Sequence, residues 1–376
     1  MKRVLIFSLA YYPHVGGAEV AIKEITDRIA PSDIEFHMLT LRFSRDDKQE
    51  EKIGNVFVSR VGRGGAYFSK ILFVPMAALA ARRLHKKNNF DAAWAMMSYM
   101  TLPLTLTCLR LPYVLTLQEG DTYHHMYERL RVLPLLPLLN CGFRRASVVQ
   151  PISTYLGGWA LKRGFTGPIE IIPNGVDVKK FSGSRIAHDG IVLIHTGRLV
   201  YKNGIDSIVR ALSLLPQHIR LRLVGSGVDE QKLRTLAREL NVLSRIEFAG
   251  FFDNDRLPEQ LHAADIFVRP SRSEGMGISF VEAMAAGLPV VATQEGGIAD
   301  FLFDAKRNID KPTTGWAVDK DSPEQIATAV QDILTNPEGA ALVVETAKKM
   351  VTEKYDWDLI TKDMREKIFA RLIKTG

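Results

Sequence analysis

The feature that most constrains this chain is an alternation that runs from end to end. Short apolar runs, partly β-branched, alternate with runs whose apolar residues recur every three or four positions. Apolar strands without polar alternation must be covered on both faces, so the pattern predicts βα units around parallel sheets, an α/β fold. Strands are expected at 3–9, 34–40, 56–61, 92–96, 113–117 and 147–151. A first helix is expected at 18–29, from Ala18, Ala21, Ile22, Ile25 and Ile29. The pattern restarts after residue 190, with strands at 191–195, 221–224, 246–249, 266–269 and 290–293 and helices at 206–215 and 229–240 among them. Residues 178–190 have no period and contain Gly183, Ser184 and Gly190, the composition of a linker. The reading is two doubly wound domains, 1–180 and 181–356. A last amphipathic helix within 357–376 (Trp357, Ile360, Met364, Ile368, Leu372) is free to pack on either. Ligands of such sheets bind beyond the carboxyl ends of the strands, and two facing sheets make a cleft.

Composition narrows the class. Of 376 residues, 46% are hydrophobic and 24% charged, enough apolar material to exclude a disordered or fibrous chain. The net charge of +7 invites a nucleic-acid reading, but the charge is uneven. Residues 1–180 carry 24 basic and 15 acidic side chains, and 181–376 carry 25 and 27. Within 60–163 there are 14 Lys and Arg against four acids, Asp91, Glu119, Asp121 and Glu128. Cys108 and Cys141 are the only cysteines, which gives neither a disulfide framework nor a zinc cluster and fits a reducing, cytoplasmic setting. Lys2-Arg3 followed by Val4-Leu5-Ile6-Phe7 imitates a signal peptide. The apolar run is short and lacks a small-residue cleavage site, so a buried first strand is expected. No run approaches the roughly 20 apolar residues of a membrane span.

The most informative segment runs from Arg269 to Val290, RPSRSEGMGISFVEAMAAGLPV. A strand ends near Arg269, a loop holds Glu274, Gly275 and Gly277, and a helix starts around Ile278. Glycines allow close backbone approach, and the free N–H groups of a helix start form an anion site suited to phosphate. Glu274 and Glu282 bracket that start. Carboxylates repel phosphate but accept hydrogen bonds from sugar hydroxyls, so the set suits a phosphate carried between two sugars. The alternative is a plain strand–turn–helix joint with solvent-facing acids. A second segment, TGRLVYKNG (196–204), puts Arg198 and Lys202 at a strand end, where they can neutralise a diphosphate or simply be solvated. A third, LVGSG (223–227), begins like a dinucleotide fingerprint but has Glu230 where the third glycine belongs, and there is no P-loop. The turns PHVGGAE (13–19) and IPNGVD (172–177) complete the set.

Taken together, and in order, these segments resemble the family 4 (group 1) glycosyltransferases, retaining enzymes of the GT-B fold: two Rossmann-like domains facing across a cleft. The resemblance spans residues 13–290. It implies that Arg198, Lys202 and Glu274 are catalytic, the first two gripping the donor diphosphate and Glu274 holding the transferred sugar. It implies donor contacts from Gly16, Gly17, Gly197, Gly225, Gly275, Met276, Gly277 and Ile278. Gly277 and Ile278 would offer backbone N–H groups, Glu282 would take the ribose hydroxyls, and Phe251 would lie near the base. One departure touches the acceptor side. The family often has His followed by Gly or Asp after the strand at 113–117, and here Gln118 stands in its place. Gln118 can hydrogen-bond a hydroxyl but cannot titrate, so either no base is needed there or another group such as Glu119, Asp121 or His124 serves.

The implied reaction moves a hexose from a UDP- or GDP-sugar to an acceptor hydroxyl with retention, in cell-envelope glycan, polysaccharide or glycolipid synthesis. The resemblance implies that no metal or cofactor is required. The departing diphosphate would itself deprotonate the acceptor. The basic stretch lies in the acceptor half. Within 69–87, Lys70, Arg82, Arg83, Lys86 and Lys87 accompany Ile71, Leu72, Phe73, Leu79 and Leu84. That mixture suits either a packed helix with solvated ends or an interfacial helix on anionic lipid, which would place the protein at the inner face of the membrane with a glycan or lipid-linked acceptor. A catalytically silent GT-B subunit, a GT-B epimerase and a phosphorylase are the alternatives. The broken glycine fingerprint disfavours a dehydrogenase, and no motif supports nucleic-acid binding.

Overall fold

A computed structural model describes residues 1–64 and 68–374. The chain divides into two compact units, residues 1–174 with 357–376, and residues 175–356. The sequence reading puts the boundary near 180. The difference lies in the expected linker, where Val178–Phe181 forms one helical turn, capped by Asp177, and buries Phe181.

In the first unit the strands are β1 (Lys2–Phe7), β2 (Ile34–Leu41), β3 (Glu50–Ile53), β4 (Val56–Val61), β5 (Ala92–Met96), β6 (Tyr113–Leu117) and β7 (Val148–Pro151). They form one sheet in the order β3-β4-β2-β1-β5-β6-β7, parallel except for β3, which runs antiparallel to β4 at the edge. Strand β3 escaped the sequence reading because its Glu-Glu-Lys-Ile carries no apolar run; an edge strand has one solvated side and needs none. Central strands such as β5 and β6 are buried at every position, as their apolar runs require.

The second unit has β8 (Ile191–Thr196), β9 (Ile219–Val224), β10 (Ile246–Gly250), β11 (Ile266–Arg269), β12 (Val290–Ala292) and β13 (Trp316–Ala317). Their order is β10-β9-β8-β11-β12-β13, and every pairing is parallel. The chain winds outward one way from β8 and the other way from β11, so the winding reverses between these two strands. In doubly wound sheets that reversal opens a crevice at the carboxyl ends. The first unit has the same reversal, between β1 and β5.

The C-terminal segment packs in the first unit. Trp357, Ile360, Met364, Ile368, Phe369 and Leu372 join the core cluster of Ile6, Phe36 and Trp94. Phe369 meets Phe36 and Trp94 edge-on, with centroids 5.7 and 5.4 Å apart. The helix widens to a π-helical turn at Met364–Phe369, which buries the adjacent residues Ile368 and Phe369 together. Thr375 and Gly376, the end of the expected 357–376 helix, lie outside the described residues.

Candidate active site

The second unit gathers most of the expected donor residues at the reversal between β8 and β11. β8 delivers the chain to Gly197, Arg198 and Lys202, β9 to Gly225, β10 to Phe251, and β11 to the loop before helix Ile278–Ala285. These loops interlock through the main chain. Gly197 N–H donates to Val224 O (2.9 Å), Leu199 N–H to Ser226 O (2.9 Å), Gly225 N–H to Gly250 O (2.7 Å) and Arg272 N–H to Lys202 O (2.7 Å). The packing is close enough to demand a glycine at 225. A β-carbon there would lie 2.0 Å from Gly197 O, and φ is +136°.

A cavity of about 240 Å³ opens between the loops. Its lining includes Gly197, Arg198, Gly225, Phe251, Arg269 and Glu282. Arg198 is exposed, and its side chain has no partner among the described residues. Phe251 is 73% exposed, a free aromatic face at the cavity and not a core residue. Glu282 is 8% exposed, and burial pushes its carboxyl up to about 7 against the opposing pull of Lys180 and Arg269. Near neutrality it can both accept and donate hydrogen bonds.

Lys202 is half-buried in a loop that Arg272 braces. The Arg272 guanidinium donates to Tyr201 O (2.6 Å), to both oxygens of Asp206 (2.9 and 2.7 Å) and to Asp321 (2.7 Å), and lies 4.0 Å over the Tyr201 ring. Glu274 is 8% exposed. Its Oε2 accepts from Arg269 at 2.6 Å, and its Oε1 from Gly275 N–H at 3.1 Å. The Gly275 N–H is thus engaged within the loop. Met276 is 1% exposed, so its side chain belongs to the core and only its backbone can face a ligand. Gly277 (φ +83°) and Ile278 begin the helix, where N–H groups have no intrahelical partner. His195, at the end of β8, is fully buried; burial and Arg269 hold it neutral by pushing its pKa down to about 3.

The acceptor-side expectations lie in the first unit, beyond β6, and scatter. Gln118 exchanges amide hydrogen bonds with Asn174, at 2.9 and 3.3 Å, which gives the turn at 172–177 a task its composition did not show. Glu119 is wholly buried. Its Oε1 accepts from Ser98 N–H (2.7 Å), and burial pushes its carboxyl up. Its carboxyl has no open path to solvent and faces the interior of the first unit. His124 points to solvent from a five-residue helix and pairs with Glu128 at 2.8 Å, and Asp121 is half-buried on the same loop. Gly16 and Gly17 are exposed at the start of helix Gly17–Asp27, with Gly16 N–H given to Glu19 at 2.7 Å. No group of three metal-ligating side chains occurs among the described residues.

The sequence reading missed Arg269, Asn203, Ser279 and Arg272. Only Arg269 left a signal, as the single charge on an otherwise apolar strand.

Comparison with known proteins bears on what this arrangement serves. The family model for group 1 glycosyl transferases matches residues 178–353, and that for glycosyltransferase family 4 matches residues 15–180. The chain belongs to the group 1 and family 4 glycosyltransferases. This glycosyltransferase is 35% identical over 180 residues to an uncharacterized glycosyltransferase of Methanocaldococcus jannaschii, an alignment covering 47% of this chain and 44% of the relative. It is 25% identical over 387 residues to the GDP-mannose-dependent alpha-(1-6)-phosphatidylinositol monomannoside mannosyltransferase of Mycobacterium tuberculosis, with 96% of each chain covered. Its fold is GT-B, with two Rossmann-like domains. It superposes on sucrose-phosphate synthase from Thermosynechococcus elongatus with a TM-score of 0.86, at 19% identity and full coverage of both chains. Anabaena HepE, crystallised with UDP and glucose, gives 0.80 at 19% identity, covering 98% and 99%.

Proposed function

We propose that this glycosyltransferase moves a hexose from a nucleoside-diphosphate sugar to an acceptor hydroxyl with retention of configuration, in cell-envelope glycan, polysaccharide or glycolipid synthesis. The observation that carries the reading is the convergence, in one unit, of a cationic loop, a glycine-walled cavity with an exposed aromatic ring, and two buried carboxylates flanking a helix start. Each part answers one part of the donor. Phe251 offers a face for the base, and Glu282 hydrogen bonds for the ribose. Arg198, Lys202 and the helix start at Gly277–Ile278 offer positive potential for the diphosphate, and Glu274 an acceptor for sugar hydroxyls.

Charge builds on the departing diphosphate in the transition state, and fixed cations and N–H dipoles stabilise it without reorganising. One such contact contributes about 2.7–4 kcal/mol. The leaving phosphate, on the face from which the acceptor arrives, takes the acceptor proton, so the mechanism needs no titrating side chain at Gln118. That fits the amide found there.

The acceptor reading rests on the first unit. Helix Phe68–Asn88 leaves Leu72 (55%), Met76 (36%) and Leu79 (54%) exposed in line with Arg83 and Lys86. A groove of about 620 Å³, lined in part by Met76, Leu79, Arg60 and Arg83, runs beside it. The side chain of Ile71 lies outside the described residues. Exposed apolar side chains continued by cations suit peripheral binding to anionic lipid at the inner membrane face. No described helix is long and apolar enough to cross a membrane.

A calorimetric screen of UDP-, GDP- and ADP-sugars tests the donor reading. Saturable binding of one sugar nucleotide is expected, and binding of none of them overturns it. The mannosyltransferase relative is GDP-mannose-dependent by name and HepE was crystallised with UDP, so both bases belong in the first round.

A further inference from the structure

Arg269 ends β11 as its only charged side chain and is 9% exposed. Its guanidinium meets three parts of the site at once. One Nη donates to Glu274 Oε2 at 2.6 Å and to Asn203 Oδ1 at 3.2 Å, and the other donates to Ser279 Oγ. The plane of the group rests on Phe280, with Cζ 5.2 Å from the ring centroid. Asn203 passes the connection on, donating to the main-chain carbonyl of Arg198 at 2.6 Å. A single buried fork therefore joins the cationic loop, the sugar carboxylate and the second residue of the anion-binding helix.

The consequence for Glu274 is geometric. Its Oε2 is fixed by Arg269 and its Oε1 by Gly275 N–H. A carboxylate anchored at both oxygens cannot rotate, and each oxygen keeps a lone pair for a further donor. Held beside the guanidinium, it presents two oxygens that accept hydroxyl hydrogens at a set spacing. We propose that Arg269 is the positioning residue of the donor site: it holds Glu274 as a rigid acceptor for the transferred sugar and, through Asn203, registers that carboxylate against the loop bearing Arg198 and Lys202. The inference rests on reading this site as a nucleotide-sugar site. Lysine cannot replace it, because a point charge does not present a planar fork to three acceptors.

A mutant cycle tests the proposal. Arg269→Met, Arg269→Lys, Glu274→Gln and the double variant Arg269→Met/Glu274→Gln are compared with the wild type for donor binding and for kcat/KM with the preferred sugar nucleotide. Misplacing a substrate-holding group by about 1 Å costs on the order of 100-fold in rate, so each single variant is expected to lose about that much. Because Arg269 acts through Glu274, the double variant is expected to lose no more than the weaker single variant, and Arg269→Lys is expected not to rescue. Losses that multiply in the double variant, or a lysine variant at wild-type kcat/KM, overturn the proposal. Should Arg269→Met leave the buried Glu274 charge unpaired and fail to fold, the double variant removes that charge, and its match to Glu274→Gln decides the same point. A wild-type chain that binds no sugar nucleotide overturns the reading of the site itself, and this inference with it.

Discussion

At the scale of single residues, the site mixes an exposed Arg198 and a half-buried Lys202 with buried acids, and the two kinds behave differently. Lys202→Ala removes one cation of the proposed diphosphate site and is expected to reduce transfer by at least about 100-fold, the cost of one such contact. Its circular dichroism should show the wild-type fold; a near wild-type rate would remove the diphosphate assignment. Glu282 is the opposite case. Its folded pKa, about 7, lies above its unfolded value. Between roughly pH 4.5 and 7 the unfolded chain therefore releases a proton that the native state keeps, and stability falls as pH rises. Above pH 7 the cost is about 3 kcal/mol. Glu282→Gln is expected to melt progressively higher than the wild type as pH goes from 5 to 7.5, and a constant difference in melting temperature across that range contradicts the assignment. Arg198, Lys202 and Glu274 could be picked out in the sequence because each follows an apolar strand, and Glu282 because it lies on the helix that comes next. Glu119 was picked out in the same way. It too follows a strand, yet it turns inward to Ser98, and nothing in a one-dimensional pattern tells an inward acid from an outward one. Arg269 was hidden by its position, since a charge at a strand end reads as the end of the strand.

At the scale of elements, the loops matter more than the strands that carry them. Gly225 is where two of them touch. Gly225→Ala sets a methyl against Gly197 O in a conformation that itself costs about 1–3 kcal/mol, and the strain falls on the loop bearing Arg198. The expected result is a melting temperature several degrees lower, with donor affinity reduced more than stability alone explains; calorimetry on the folded fraction separates the two. The strands were readable because a parallel sheet buried on both faces requires continuous apolar runs, as in β5 and β6. Strand β3 and the helical turn at Val178–Phe181 were not. One is an edge with a solvated side, and the other is too short to show a period. The C-terminal helix was read as regular, but its π-helical turn at Met364–Phe369 changes which side chains face the core and adds Phe369.

At the scale of the molecule, the first unit is built from both ends of the sequence. Six buried side chains between Trp357 and Leu372 join its core. At about 1.5–3 kcal/mol each they contribute on the order of a whole domain's stability, about 5–15 kcal/mol. Truncation after Asp356 is therefore expected to unfold the first unit while residues 175–356 stay folded; limited proteolysis with mass spectrometry reads which fragment survives, and an intact first unit would show the segment to be dispensable. The charge asymmetry acts at this scale too. Co-sedimentation with vesicles is expected to require anionic lipid, to weaken with salt, and to fall when Leu72, Leu79 and Arg83 are replaced together by Ser, Ser and Gln. Binding that ignores both lipid charge and salt would end the membrane reading.

The two ends of the second unit meet, with Val176 N–H donating to Tyr355 O at 2.7 Å. The chain leaves the first unit at Asn174 and returns at Trp357, and the timetable of synthesis follows from that. A ribosome adding 5–20 residues per second spends roughly 10–40 s making residues 175–356. Throughout that interval the first unit stands on the nascent chain with its core open. The second unit, contiguous in sequence, can finish folding before the first is able to, so the N-terminal half of this protein is the later one to mature. Its exposed apolar surface in the meantime is where chaperone dependence should concentrate.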